Sequence, residues 1–162
     1  MPKSRVFNGN EIRPAKYPWL VAVEMKLPDD SWGTCGGSIL DSRHILTAAH
    51  CAFTGGRAVK RGELRVKIGA HHREESPGIV LMASNVYLHH RYVYSKITHY
   101  DMAVIELKRP LKFSSTVFPI CIPDWDDIPE YMTVAGWGKL TSDSNYTSNI
   151  PFEAEVEHIS RE

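Results

Sequence analysis

The chain has 162 residues, 43% of them hydrophobic, and its 19 basic and 19 acidic side chains cancel to zero net charge. That is enough apolar material for a packed core, and it excludes a disordered tail. The balanced charge offers no pull towards nucleic acid or an anionic membrane, so neither is expected as a partner, and no run is long and apolar enough to span a bilayer.

The three cysteines favour an oxidising compartment, where two would pair and one would seek a partner elsewhere. Met1-Pro2-Lys3-Ser4-Arg5 has no apolar stretch of the signal-peptide kind. The two observations together lead to the expectation that this sequence is part of a longer one.

In chain order, Arg5-Val6-Phe7-Asn8-Gly9 is a basic residue, an apolar pair and a turn, unremarkable alone. Pro18 to Met25 is rich in β-formers and bounded by Pro18 and Pro28, so a strand is predicted there. Trp32 to Cys51 reads WGTCGGSILDSRHILTAAHC. Its apolar runs Ser38-Ile39-Leu40 and His44-Ile45-Leu46-Thr47 flank the turn-like Asp41-Ser42-Arg43, which predicts a hairpin. Closing that hairpin brings Cys35 and Cys51 within disulfide reach. His50 is then held beside the bridge on a small-residue turn, partly buried, as a general base requires. A structural histidine satisfied by carbonyls is the plainer reading of the same residue.

Gly55-Gly56 marks a loop, and Leu64 to Ile68 alternates as a half-exposed strand. A polar loop follows from Gly69 to Glu75, then a strand within Ile79 to His89. His71, His72, His89, His90 and His99 are many for one region. Neighbouring histidines on a strand face opposite sides, and no metal-ligand spacing accompanies them, so no metal site is expected. Asp101 opens the apolar run Met102 to Ile105, which reads as a strand buried on both faces. A carboxylate at that entrance needs partners; backbone N–H groups would serve. Asn145-Tyr146-Thr147 is a glycosylation sequon in a polar loop, making Asn145 a candidate glycan site. Glu153 to Ile159 alternates like a strand.

Four segments of the chain resemble motifs of the trypsin-like (chymotrypsin-fold) serine proteases. They are the T-A-A-H-C ending at Cys51, the D-M-A-V-I-E-L from Asp101, the F-P-I-C-I-P around Cys121 and the V-A-G-W-G from Val134. The resemblance implies an all-β, chymotrypsin-like double β-barrel, the first barrel complete and the second truncated. Residues 1–5 would end a propeptide and 6–162 would form an incomplete peptidase domain. Within it the N-terminal barrel would run from about 19 to 118 and the start of the second from 119 to 162, in a family whose domains hold about 200–250 residues.

By the same resemblance His50 and Asp101 are two members of a catalytic triad, Asp101 accepting the Nδ1–H of His50. Cleavage after Arg5 would free the Val6 amine to order a substrate pocket, with Phe7 a mild departure from the usual activation segment. Cys121 would bridge to an upstream propeptide or light chain, or stay unpaired. Met132 stands where a further cysteine is common. Ala70 replaces the first carboxylate of the family's calcium loop, and Glu74 with Glu75 is a poor oxygen cage, so no calcium and no other cofactor is expected.

The family's G-D-S-G-G segment is absent from this sequence, and with it the nucleophilic serine, the oxyanion amides and the specificity pocket. The implied function is a secreted serine endopeptidase acting on protein and peptide substrates and subject to protease inhibitors. This stretch alone would be inactive. The alternative is a non-catalytic protease homologue acting as a binding or regulatory module.

Overall fold

The computed structural model describes residues 9–60, 62–75, 78–94, 99–123, 129–139 and 147–159. Its strands are β1 (Asn10–Glu11), β2 (Leu20–Lys26), β3 (Trp32–Ile39), β4 (His44–Thr47), β5 (Phe53–Thr54) and β6 (Arg57–Ala58). They continue with β7 (Leu64–Ile68), β8 (Ile79–Leu88), β9 (Ala103–Leu107), β10 (Tyr131–Gly136) and β11 (Phe152–Glu157), and one 3-10 turn spans Ala49–Ala52.

Six of the strands close into an antiparallel barrel in the order β2-β3-β4-β9-β8-β7. Alternation drives this closure. In β7, Leu64, Val66 and Ile68 turn inward while Arg65 and Lys67 stay half-buried, and on the neighbouring strand β2 Val21 pairs with Ile68 and Val23 with Val66, their side chains in the same core. Ile39, Ile45, Ile105 and Leu107 fill the remaining volume with no exposed surface. Each such side chain contributes about 1.5–3 kcal/mol by leaving water. Where β8 meets β9 the register shifts between Ala83 and Asn85. Such a bulge bends a strand around a barrel, and Ser84 Oγ donates to the Glu106 carbonyl there at 3.0 Å.

The strand after Asp101 is not buried on both faces. Ala103, Ile105 and Leu107 are buried, Val104 and Glu106 are half-buried, and Met102 is 52% exposed. A barrel has one interior, so an unbroken apolar run still alternates between core and outer surface.

The second unit is a three-stranded sheet in the order β1-β11-β10. Strand β1 was not readable in the sequence. It crosses from the N-terminal segment to pair Asn10 with Glu153 and Glu11 with Phe152. Lys16 Nζ meets Glu153 at 2.6 Å, Tyr17 donates to the same carboxylate, and Trp137 Nε1 donates to the His71 carbonyl at 3.3 Å. These contacts dock the sheet on the barrel.

Two adjacent glycines of β3 separate packing from mere flexibility. A Cβ on Gly37 would stand 3.0 Å from Ile45 Cγ2, the Leu46 carbonyl and Val23 Cγ2, whereas nothing lies within 4 Å of one on Gly36. Gly37→Ala is expected to lower unfolding free energy by about 1–3 kcal/mol, while Gly36→Ala leaves it unchanged or raises it. Urea unfolding of both variants checks this, and equal effects would refute the packing account.

Candidate active site

The site begins at the hairpin turn. Asp41 Oδ1 accepts from the N–H of Arg43 at 2.7 Å and of His44 at 2.9 Å, closing the turn locally. Pairing then sets Ser38 opposite Leu46 and Ile39 opposite Ile45. Thr47 Oγ1 donates to the Gly36 carbonyl at 2.8 Å, and just beyond, Cys35 and Cys51 form a disulfide. Between Thr47 and the bridge the chain makes its 3-10 turn. Ala49 and Ala52 are fully buried, which leaves His50 pointing outward.

Strand β9 delivers the partner. Thr47 lies opposite Ala103, so the residues just outside that pair, His50 and Asp101, converge from positions 51 apart. Asp101 Oδ2 is 2.7 Å from His50 Nδ1, and Oδ1 accepts the His50 backbone N–H at 2.9 Å. The carboxylate therefore caps local backbone and pairs with an imidazole at once. Burial pushes its pKa up, but the hydrogen bonds from the His50 side chain and backbone, the His50 charge and the Ala49 amide together hold it below the ordinary value.

His50 is more open than expected, with 52% of its side chain exposed against 26% for Asp101. The disulfide covers only one edge: Nε2 lies 3.4 Å from Cys51 Sγ and 4.0 Å from Cys35 Sγ. Among the described residues Cys35, His50 and Cys51 cluster at metal-ligand distances. Both sulfurs are spent in the disulfide, so neither can act as a thiolate ligand. Disulfide sulfur also carries no proton to donate. With Nδ1–H given to Asp101, the Nε2 lone pair stays available as a base.

Sequence reading missed the setting of Asp101. Tyr100 has φ of +54°, a left-handed conformation that costs a bulky residue about 1–2 kcal/mol. Its ring stacks on His89 at 5.0 Å and 6°, with the Arg91 guanidinium 4.3 Å from its centroid. Such contacts return about 0.5–1.5 kcal/mol each. His89 and His90 do not face opposite sides; they follow β8 in a turn and stack at 4.7 Å. Phe53 packs edge-on against Tyr92 and flat against Tyr94. The Tyr92 hydroxyl is buried without a partner among the described residues, and burial followed by the Asp101 charge raises its pKa.

Of the other sequence-predicted residues, Cys121 is a free, exposed thiol. The segment before it lies along the barrel, Ile120 N–H donating to the Ile39 carbonyl at 2.9 Å. Arg73 of the polar loop reaches Thr147 Oγ1 at 3.0 Å, and the Glu74 N–H donates to Asn149 Oδ1 at 2.8 Å. Arg5, Val6 and Asn145 lie outside the described residues.

The trypsin family model matches residues 6–162. This chain belongs to the trypsin family. Chymotrypsin-C of Mus musculus is 34% identical over 146 residues, covering 85% of this chain and 51% of that protein. The venom serine protease Bi-VSP of Bombus ignitus is 36% identical over 152 residues, with 85% and 40% covered. Among solved structures, that of GrC superposes with a TM-score of 0.79 at 25% identity, covering 93% of this chain and 64% of its own. The chain spans about half the length of the chymotrypsin-C relatives it matches. Family membership accounts for the all-β architecture, with a closed barrel beside a second, smaller sheet.

The depressed pKa of Asp101 has a signed consequence. Its ionised form stabilises the fold fully above the ordinary Asp value of about 3.9, and that contribution is lost as pH falls from there through the folded-state value. The gap in unfolding free energy between the parent and Asp101→Asn should therefore be widest near neutrality and shrink on acidification. Urea titrations across that range measure it; a gap independent of pH would rule out the ionised pairing.

Proposed function

We propose that this chain supplies the general-base half of a trypsin-like serine endopeptidase site. The observation that carries the reading is the 2.7 Å contact of Asp101 Oδ2 with His50 Nδ1 across 51 positions. Asp101 holds the imidazole in the tautomer with Nε2 unprotonated. Nε2 accepts a serine proton as that oxygen attacks a peptide carbonyl, then returns the proton to the leaving amine. Water hydrolyses the acyl-enzyme by the reverse sequence. The geometry of a fixed carboxylate, an oriented ring and an open Nε2 supports these roles.

No G-D-S-G-G segment occurs in the sequence, so nucleophile, oxyanion amides and specificity pocket are not among these residues. Taken alone, the chain forms no acyl-enzyme. In the whole protein, residues 6–162 belong to the peptidase domain and 1–5 to its propeptide, cleavage after Arg5 releasing the Val6 amine. The exposed thiol of Cys121 suits a bridge to an upstream propeptide or light chain. The Cys35–Cys51 disulfide supports an oxidising, extracellular destination, and Asn145 is a glycan acceptor there. Substrates are proteins and peptides, and protease inhibitors are the expected protein ligands. No helix among the described residues is long and apolar enough to cross a membrane.

The test is to sequence the full-length transcript and express its product. A G-D-S-G-G segment in frame, with hydrolysis of peptide amides after activation at Arg5, supports the reading. His50→Ala should then lower kcat by about 10⁶-fold and Asp101→Asn by about 10⁴-fold. A transcript that carries the segment with its serine replaced overturns it in favour of a binding or regulatory module.

A further inference from the structure

We propose that Tyr100 is a positioning residue for Asp101, clamped by His89 and Arg91 so that the carboxylate stays on Nδ1 of His50. The inference deepens the proposed site and rests on its His50–Asp101 pair, but concerns the hydrogen bond itself rather than turnover.

The carboxylate is gripped from one side by two donors, the His50 N–H and the His50 Nδ1–H. Those contacts fix its oxygens and leave the direction of its Cα–Cβ bond to the backbone. That direction is set at residues 100–102, where the Met102 N–H donates to the Tyr100 carbonyl at 2.8 Å and the His89 N–H to the Met102 carbonyl at 2.9 Å. Asp101 is thus the middle residue of a tight turn, entered through the positive φ of Tyr100. An aromatic residue does not hold that conformation unaided.

What holds it is the preceding turn. The Tyr92 N–H donates to the His89 carbonyl at 2.8 Å, and the Arg91 N–H donates to His89 Nδ1 at 3.2 Å. The second bond locks the imidazole plane, and His90 backs it at 4.7 Å. The Tyr100 ring lies parallel to that fixed plane, 6° off at 5.0 Å, with the Arg91 guanidinium 4.3 Å from its centroid. If the ring is lost, φ relaxes towards negative values, the Asp101 Cα–Cβ bond swings, and Oδ2 leaves Nδ1. Such a stack on an exposed turn has little to do with core stability. Its effect falls on the residue next in sequence.

Nitrogen-15 histidine labelling of the 162-residue chain, with its disulfide intact, tests this through solvent exchange of the His50 Nδ1 proton. Tyr100→Ala removes the ring and leaves a residue with a Cβ and no side chain to favour left-handed backbone. It should speed exchange about tenfold while core amides such as those of Val21 and Ile45 keep their positions. Tyr100→Phe retains the ring and should restore the parent rate. Arg91→Met, which leaves residue 100 untouched, should speed exchange in the same direction and serves alone if Tyr100→Ala does not fold. Exchange in Tyr100→Ala no faster than in Tyr100→Phe overturns the proposal, as does an unchanged rate in Arg91→Met. An intact protein without peptidase activity refutes the protease reading and leaves this exchange result standing.

Discussion

The pairing of β4 with β9 is the constraint on which the site depends. Setting Thr47 opposite Ala103 decides that His50, three positions beyond Thr47, and Asp101, two before Ala103, meet. A slip of one position would turn Ile45 and Ile105 out of the core and carry Asp101 away from the imidazole. The register that fills the barrel is thus the register that forms the pair. Burial of Ile45 and Ile105 enforces a geometry in which neither side chain takes part, and chemistry at the rim is held by packing at the centre.

The disulfide acts on the same geometry from another direction. Its bond joins positions 16 apart, so it closes one modest loop and stabilises by about 3 kcal/mol in the chain-entropy account. Its second effect is local. It anchors the residue after His50 to β3, so the 3-10 turn cannot unwind without dragging a barrel strand. A second His–Asp pair shows that proximity alone is insufficient. His44 Nδ1 lies 2.8 Å from Asp41 Oδ2, yet those residues are three apart and merely close a turn. The His50–Asp101 pair joins segments at the ends of two different strands, 51 positions apart, which turn closure does not require.

Much of this was legible in the sequence for physical reasons. The hairpin announced itself through apolar runs around Asp41-Ser42-Arg43, and Leu64 to Ile68 alternated with the period of a half-buried strand. The need of Asp101 for partners followed from the price of burying a charge, but its choice of His50 came from family resemblance. Nothing in either residue encodes a contact across 51 positions. Other features were hidden because their cause is tertiary. Two polar residues, Asn10 and Glu11, carry no strand signal until β11 offers an edge. A positive φ is read from Gly or Asn, so Tyr100 concealed its own conformation. The stacking of His89 on His90 escaped a rule that holds for strands, because the chain has already left β8 and turned.

Exposure divides the molecule unevenly, and the division bears on what can act alone. The barrel strands of the site bury Ile39, Ile45, Ile105 and Leu107 completely, whereas Tyr131 is 53% exposed and Met132 and Val134 are each 39% exposed on β10. That strand is an edge of its sheet, and apolar edges invite further strands. Yet the ring, the carboxylate, its backbone donors, the disulfide and the tyrosine stack all lie between Cys35 and Asp101. None takes a hydrogen bond from β10 or β11 among the described residues. The His50–Asp101 geometry is therefore a property of the first barrel. The second sheet has a different part: its residues Val134 to Gly138 face Cys35 and Gly36 across a cleft of about 340 Å³. The barrel wall of that cleft carries Cys35, whose disulfide partner Cys51 directly follows His50, so the side of the cleft next to the proposed base is held by the barrel alone.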